Sequence, residues 1–234
     1  MLAEAAPTKK CFVALIRHGE RADYAHGKTS AVFDIDHDPP LTDKGVKQAR
    51  ETGVSLKKFL AEEGYQEVII ECSPFLRTMM TAAHIAKGLG HTKIRVNYLF
   101  SELMASDLFW EPPLPSSALK TKEKKHLIEK YLDGIEVEDT ETFFEHAKGL
   151  YPETRPEGRQ RIELMKSEFK KMYGKAEKKV AHLAVTHGFF VNKFALSLNG
   201  VQSYSEYCSI SGAWIEGETA TLALDSYCEH VQTW

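Results

Sequence analysis

Residues 11–21 read Cys11-Phe12-Val13-Ala14-Leu15-Ile16-Arg17-His18-Gly19-Glu20-Arg21. The run 11–16 is almost continuously apolar, which suits a central parallel strand buried on both faces. It stops abruptly at a histidine between arginines, a poor core element. Arginine offers fork-shaped cationic donors and imidazole offers a nucleophile, so this strand end is suited to receive a phosphate.

Working outward, residues 22–40 lack periodicity and end in Asp38-Pro39-Pro40, which reads as a long loop. Asp34, Asp36 and Asp38 imitate the start of a calcium loop. The sixth position is Pro39 rather than Gly and the twelfth is Gly45 rather than Glu, so a solvated acidic loop is expected and no metal site. Thr42 is a plausible N-cap for a helix running to about Glu63, with Val46, Ala49, Gly53, Leu56 and Leu60 on one face.

Residues 68–72 form a second strand candidate, followed by Ser73 as N-cap and Pro74 as first helical residue. That helix runs through Leu76, Met80 and Ala83 to near Gly88, which places Arg77 one turn inside, pointing back over the strand end. Residues 94–99 supply a third strand, with Glu102 shortly after. Residues 180–186 supply a fourth, ending at His187-Gly188. A helix over 189–198 follows, closed by Asn199-Gly200. Residues 157–173 read as an amphipathic helix with Ile162, Met165, Phe169 and Met172 on one face, and 213–215 with 220–224 as a terminal hairpin around Gly217.

Residues 103–155 break the alternation: Trp110 beside Pro112, Pro113 and Pro115, a lysine-rich helical piece over 120–132, and an acidic stretch over 133–145. The segment has too few apolar residues for a core of its own, so it reads as a helical insertion or lid. The organisation expected is a flexible N-terminus (1–10) and a single domain (11–234) carrying that insertion.

Strands alternating with helices predict an α/β fold: a three-layer α/β/α sandwich with a mostly parallel sheet and helices on both faces. Ligands in such sheets bind beyond the carboxyl ends of the strands. Arg17-His18, Ser73 to Arg77, Glu102 and His187 all lie just past strand ends. Singly, each reads as ordinary: a structural histidine, a surface arginine, a solvated carboxylate. Their convergence on one sheet edge points to a site.

Thirty basic against thirty-three acidic residues leave a formal charge of −3, too balanced for a general nucleic-acid or membrane-surface binder. Any anion site is therefore a local positive pocket. Cys11, Cys72, Cys208 and Cys228 form no Cys-x-x-Cys pair, which fits reduced thiols better than a disulfide framework. With no apolar h-region before Cys11 and no run of transmembrane length, a cytoplasmic location is expected.

Taken together, Arg17-His18-Gly19-Glu20, Pro40-Leu41-Thr42 with Gly45 and Gln48-Ala49, Ser73-Pro74 with Arg77 and Thr81-Ala82, Ser101-Glu102-Leu103, and Thr186-His187-Gly188 resemble the histidine phosphatase, or phosphoglycerate mutase-like, superfamily. The resemblance runs in order from about residue 11 to 225. It implies that His18 is the nucleophile that becomes phosphorylated, that Arg17, Arg77 and His187 hold the phosphoryl oxygens, and that Glu102 donates the proton. A protonated His187, and helix N-terminal amides after Ser73 and His187, would assist. Positive surroundings should keep His18 unprotonated, with a backbone carbonyl fixing its tautomer.

Arg21 narrows the resemblance to the steroid-phosphate and protein-tyrosine phosphatases related to the suppressors of T-cell receptor signalling, where this arginine also faces the phosphate. Gly188 stands where the acid phosphatase branch has an aspartate, which favours Glu102 as the acid; Gly188 itself is expected at the phosphate. Phe189 and Phe190 read as core ahead of substrate contacts. The activity implied is a phosphomonoesterase with no cofactor, acting on a small phosphate ester or a phosphoprotein. A phosphoglycerate-type mutase and a weakly catalytic phosphate-binding scaffold are the alternatives. Oligomeric state is open, a homodimer included.

Overall fold

The computed structural model describes residues 10–25, 35, 37–114, 119 and 121–233. Strand β1 (Cys11–Arg17) is the one predicted from the opening run, and its residues alternate between two cores. Phe12, Ala14 and Ile16 enter one cluster, and Cys11, Val13 and Leu15 enter the other. A strand apolar on both faces needs helices on both sides, and it has them.

On the first face lie α2 (Asp43–Glu62) and α3 (Leu76–Leu89), which approach so closely at Gly53 and Gly88 that a side chain on either would meet the other's backbone. On the second lie α6 (Arg155–Tyr173) and α7 (Gly188–Asn199), which bring Ile162, Met165, Phe169, Phe190 and Phe194. The other strands are β2 (Glu67–Cys72), β3 (Lys93–Val96), β4 (Glu136–Asp139), β5 (Val180–Thr186), β6 (Ile210–Glu216) and β7 (Thr219–Tyr227). Their order in the sheet is β4-β3-β2-β5-β1-β6-β7. The first five neighbours run parallel, and β6 and β7 are antiparallel. The predicted α/β sandwich and terminal hairpin are both present.

Several local expectations change. Ala22–Ala25 forms a short helix, α1, inside the expected loop. Asp34 and Asp36 lie outside the described residues, whereas Asp38 is buried rather than solvated. Helix α3 starts at Leu76, so Arg77 is its second residue, and Ser73 does not cap it. The N-cap residue Phe75 has no side-chain acceptor, so the Leu76 amide instead donates to Asp38 Oδ1 at 2.6 Å. Strand β3 ends at Val96, because Asn97 accepts from the Leu99 amide and turns Tyr98–Phe100 into a 3-10 turn.

The insertion is not wholly helical. It contains α4 (Lys122–Tyr131) and α5 (Phe144–Lys148), but the acidic stretch holds edge strand β4, paired in parallel with β3. Most of its buried apolar residues, among them Phe109, Leu114, Leu127 and Leu132, belong to the same cluster as α2 and α3, while Leu103 and Ala105 join the other. Cys11, Cys72, Cys208 and Cys228 are all free thiols. Among the described residues, no helix is long and apolar enough to cross a membrane.

Candidate active site

The turn after β1 is fixed by backbone contacts. The His18 amide donates to Thr186 O on the neighbouring β5 at 3.1 Å, and the Gly19 amide donates to Thr81 Oγ1 at 3.1 Å. A Cβ on Gly19 would lie 2.5 Å from the Gly45 carbonyl oxygen, so the chain can pass the start of α2 only with glycine there. His18 is buried, and its Nδ1–H donates to the Gly19 carbonyl at 2.8 Å. That bond leaves Nε2 as the ring's lone-pair nitrogen. Burial, then the charges of Arg77, His187 and Arg17, hold the imidazole well below its ordinary value. The ring–carbonyl bond matches the expected tautomer, and burial with those charges favours the expected unprotonated nitrogen.

Around this ring stand the residues contributed by the other strand ends. The His187 ring centroid lies 5.5 Å from that of His18. Arg77 Nη2 is 3.1 Å from His187 Nδ1 and 3.3 Å from Glu102 Oε2, and His187 Nδ1 is 3.0 Å from the same oxygen. His187 Nε2 meets Ser73 Oγ at 2.8 Å, the contact made possible because Ser73 is not a helix cap. Arg17 donates through Nη1 to Ser205 O at 2.7 Å and lies over the Tyr207 ring at 4.4 Å.

Arg17 Nε and Arg77 Nε and Nη1 are buried and have no hydrogen-bond partner among the described residues. Unused cationic donors are expensive to bury, and these belong to guanidiniums flanking one imidazole. An anion with several acceptor oxygens would satisfy them.

The protonation states of the site are specific. Burial alone would push Glu102 up, but His187 and Arg77 outweigh it and hold the carboxylate ionised, well below its usual range. Burial drives His187 down to about 4, against the pull of Glu102. Burial thus works against the expected protonated His187, and the Glu102 carboxylate works for it. Arg77 is lowered to about 10, by burial first and then by Arg21.

Arg21 donates to both oxygens of Asp23, at 2.8 and 2.6 Å, and lies over Tyr24. It reaches the pocket through its field on Arg77 and His187. Gly188 opens α7 where a Cβ would sit 3.3 Å from Arg17 Nε, so the missing side chain lets the guanidinium lie against the helix start. The first amide of α3 is already taken by Asp38, so that amide is not among the expected helix-terminal donors. Phe190 is core, fully buried over Arg161, and Phe189 packs partly buried against the same cluster.

Sequence reasoning missed the supporting charges. Arg161 donates to the carbonyls of Leu99, Ser101 and Glu102 at 3.3, 2.8 and 3.0 Å. Its Nη2 also pairs with Glu153 at 2.6 Å, and Glu153 accepts from the Met104 amide at 2.9 Å. This buried pair holds the segment that carries Glu102. Arg161 sits between Gly158 and Met165 on the buried face of α6, and a charge at such a position was the available signal. Asp38 and Lys124 form a second buried pair that no spacing foretold.

A parallel sheet whose strand ends present a buried imidazole and unsatisfied guanidiniums defines a phosphate-handling α/β protein. Residues 13–207 match the histidine phosphatase superfamily (branch 1), and the chain belongs to that superfamily. A curated relative, an uncharacterized phosphoglycerate mutase family protein of Acanthamoeba polyphaga mimivirus, is 32% identical over 128 residues, covering 54% of this chain and 52% of the relative. The chain thus spans about half the length of the curated relative it matches.

Among solved structures, the phosphoglycerate mutase of Bacillus anthracis superposes with a TM-score of 0.63 at 17% identity, covering 97% of each chain. The ecdysone phosphate phosphatase of Bombix mori gives 0.54 at 17%, covering 91% of this chain and 92% of that one. A phosphoserine phosphatase of Entamoeba histolytica gives 0.55 at 16%, covering 94% and 98%. At these identities the likeness is one of fold. Superfamily membership points to an enzyme of phosphate esters, phosphatase or mutase.

Proposed function

We propose that the protein is a phosphomonoesterase that works through a phosphohistidine on His18, with no metal or cofactor. The observation that carries this reading is the set of unused donors, Arg17 Nε with Arg77 Nε and Nη1, beside an imidazole whose Nδ1–H is tied to Gly19. The phosphoryl oxygens accept from those donors, and His187 and the start of α7 complete the cradle. Arg21 and Gly188 belong to the cradle's edge.

His18 Nε2 attacks phosphorus while the P–O bond to the leaving group breaks. Glu102 gives that oxygen a proton, then recovers one from the water that hydrolyses the phosphohistidine. Glu102 is held ionised by its neighbours, so it needs a proton when substrate arrives. A phosphate dianion beside it raises its affinity for a proton, and a monoanionic ester carries one in.

The resemblance that Arg21 carries favours the branch that hydrolyses steroid and tyrosyl phosphates, so a small phosphate ester or a phosphoprotein is the substrate class, in a cytoplasmic setting. The curated relative's name favours a second reading, a phosphoglycerate-type mutase that returns the phosphoryl group to another hydroxyl. Stimulation by a bisphosphorylated primer identifies that case. His18→Ala is expected to abolish hydrolysis of an aryl phosphate in the presence of EDTA. Undiminished turnover in that variant removes the mechanism, and loss of wild-type activity on adding EDTA removes its metal independence.

A further inference from the structure

The insertion helix α4 places Lys124 deep in the molecule: its side chain is fully buried, and Nζ pairs with Asp38 Oδ2. An ammonium loses its hydration there and, among the described residues, gains one partner, Asp38. That partner faces Arg77. Asp38 Oδ1 lies 3.6 Å from Arg77 Nη1, yet this nitrogen makes no hydrogen bond among the described residues.

The two carboxylate oxygens are otherwise engaged. Oδ1 accepts from the Leu76 amide at 2.6 Å, and Oδ2 is held by Lys124. A carboxylate released from Lys124 would have Oδ2 free on the same group whose Oδ1 already lies 3.6 Å from an unused guanidinium nitrogen. It would close on Arg77, occupy the donor a phosphate needs, and set a negative charge against the incoming anion.

We propose that Lys124 is a positioning residue of the phosphate pocket: by holding Asp38 it keeps that carboxylate off Arg77, so that Arg77 keeps its free donors, and the pocket its net positive field, for substrate. The inference rests on the pocket's reading as a phosphate site. It makes the insertion part of the phosphate site's electrostatics, across 86 residues of chain.

Signs separate this role from a purely structural one. Binding of inorganic phosphate, measured calorimetrically, is expected to weaken by roughly tenfold or more in Lys124→Met, where a buried charge near the anion is left uncompensated. The KM for an aryl phosphate should rise with it, more than kcat falls. Asp38→Asn, which keeps an acceptor for the Leu76 amide, is expected to bind phosphate as tightly as wild type or more tightly. The double variant, carrying neither charge, should return to within about threefold of wild type, because the compensated pair is electrically neutral.

Phosphate affinity unchanged in Lys124→Met overturns the proposal, as does weakened affinity in Asp38→Asn. If Lys124→Met does not fold, the other two variants decide: a double variant as weak as a disrupted pocket overturns it. A folded wild type that binds no phosphate instead overturns the functional reading itself. Wild-type turnover with these affinities unmoved overturns only the role of Lys124.

Discussion

Glu102 carries a tension that only geometry reveals. A leaving-group acid must hold a proton, yet its contacts with Arg77 and His187 keep it ionised. The proton must therefore arrive with the substrate's charge. Glu102→Gln should accordingly slow alkyl phosphates by roughly a hundredfold or more, within the usual range for general acid catalysis. Nitrophenyl phosphate, whose leaving group needs little help, should lose far less. Equal losses for both esters remove the acid role. Gly19→Ala should be as damaging as loss of a catalytic group, because its Cβ would run into the Gly45 carbonyl. A variant with wild-type kcat/KM would show that the turn can yield. At this scale His18, Arg77, Glu102 and His187 were legible in the sequence, since each follows a strand end. Asp38 was misread as solvated, because its partners lie at positions 76 and 124 and no local pattern links them.

Elements were legible where a single periodicity governed them. Strand β1 feeds two cores, and its unbroken apolar run says so directly. Helix α6 carries a capping box of Thr154 and Glu157, which sets its start. The start of α3 was not legible: Ser73-Pro74 has the composition of a helix opening, but a distant carboxylate supplies the cap and frees Ser73 for His187. Strand β4 was hidden because its residues, Glu136 to Asp139, are mostly acidic and it forms by pairing with β3 at the sheet edge. The Arg161–Glu153 pair yields a prediction at this scale. Removing one member of a buried pair costs about 3–5 kcal/mol, so Arg161→Met should unfold at markedly lower denaturant. It should also lose activity selectively on alkyl phosphates, because the Glu102 carbonyl is one of its anchors. Lower stability with an unchanged leaving-group profile would make the pair scaffolding alone.

For the molecule as a whole, buried neutral histidines set the response to acid. His84 and His187 are each down at about 4, and burial is the first cause in both. Their unfolded counterparts titrate near 6.5, so between those values the unfolded chain binds more protons than the folded one. Stability from these groups is present above about pH 6.5 and is lost as pH falls toward 4. His84 lies outside the site, and its Nδ1 has no partner among the described residues, so His84→Asn should flatten the decline in Tm over that window. An unaltered pH slope would assign it elsewhere. The insertion shares the core of α2 and α3 and reaches the pocket through Lys124, a connection that composition does not reveal. The measurement that bears most directly on the mechanism is trapping of the enzyme during turnover of an aryl phosphate, quenched in alkali and analysed by peptide mass. One phosphoryl group on the peptide carrying His18, absent from His18→Ala, is the expected result. Steady turnover with the group on another residue, or with His18→Ala as active as wild type, would contradict it.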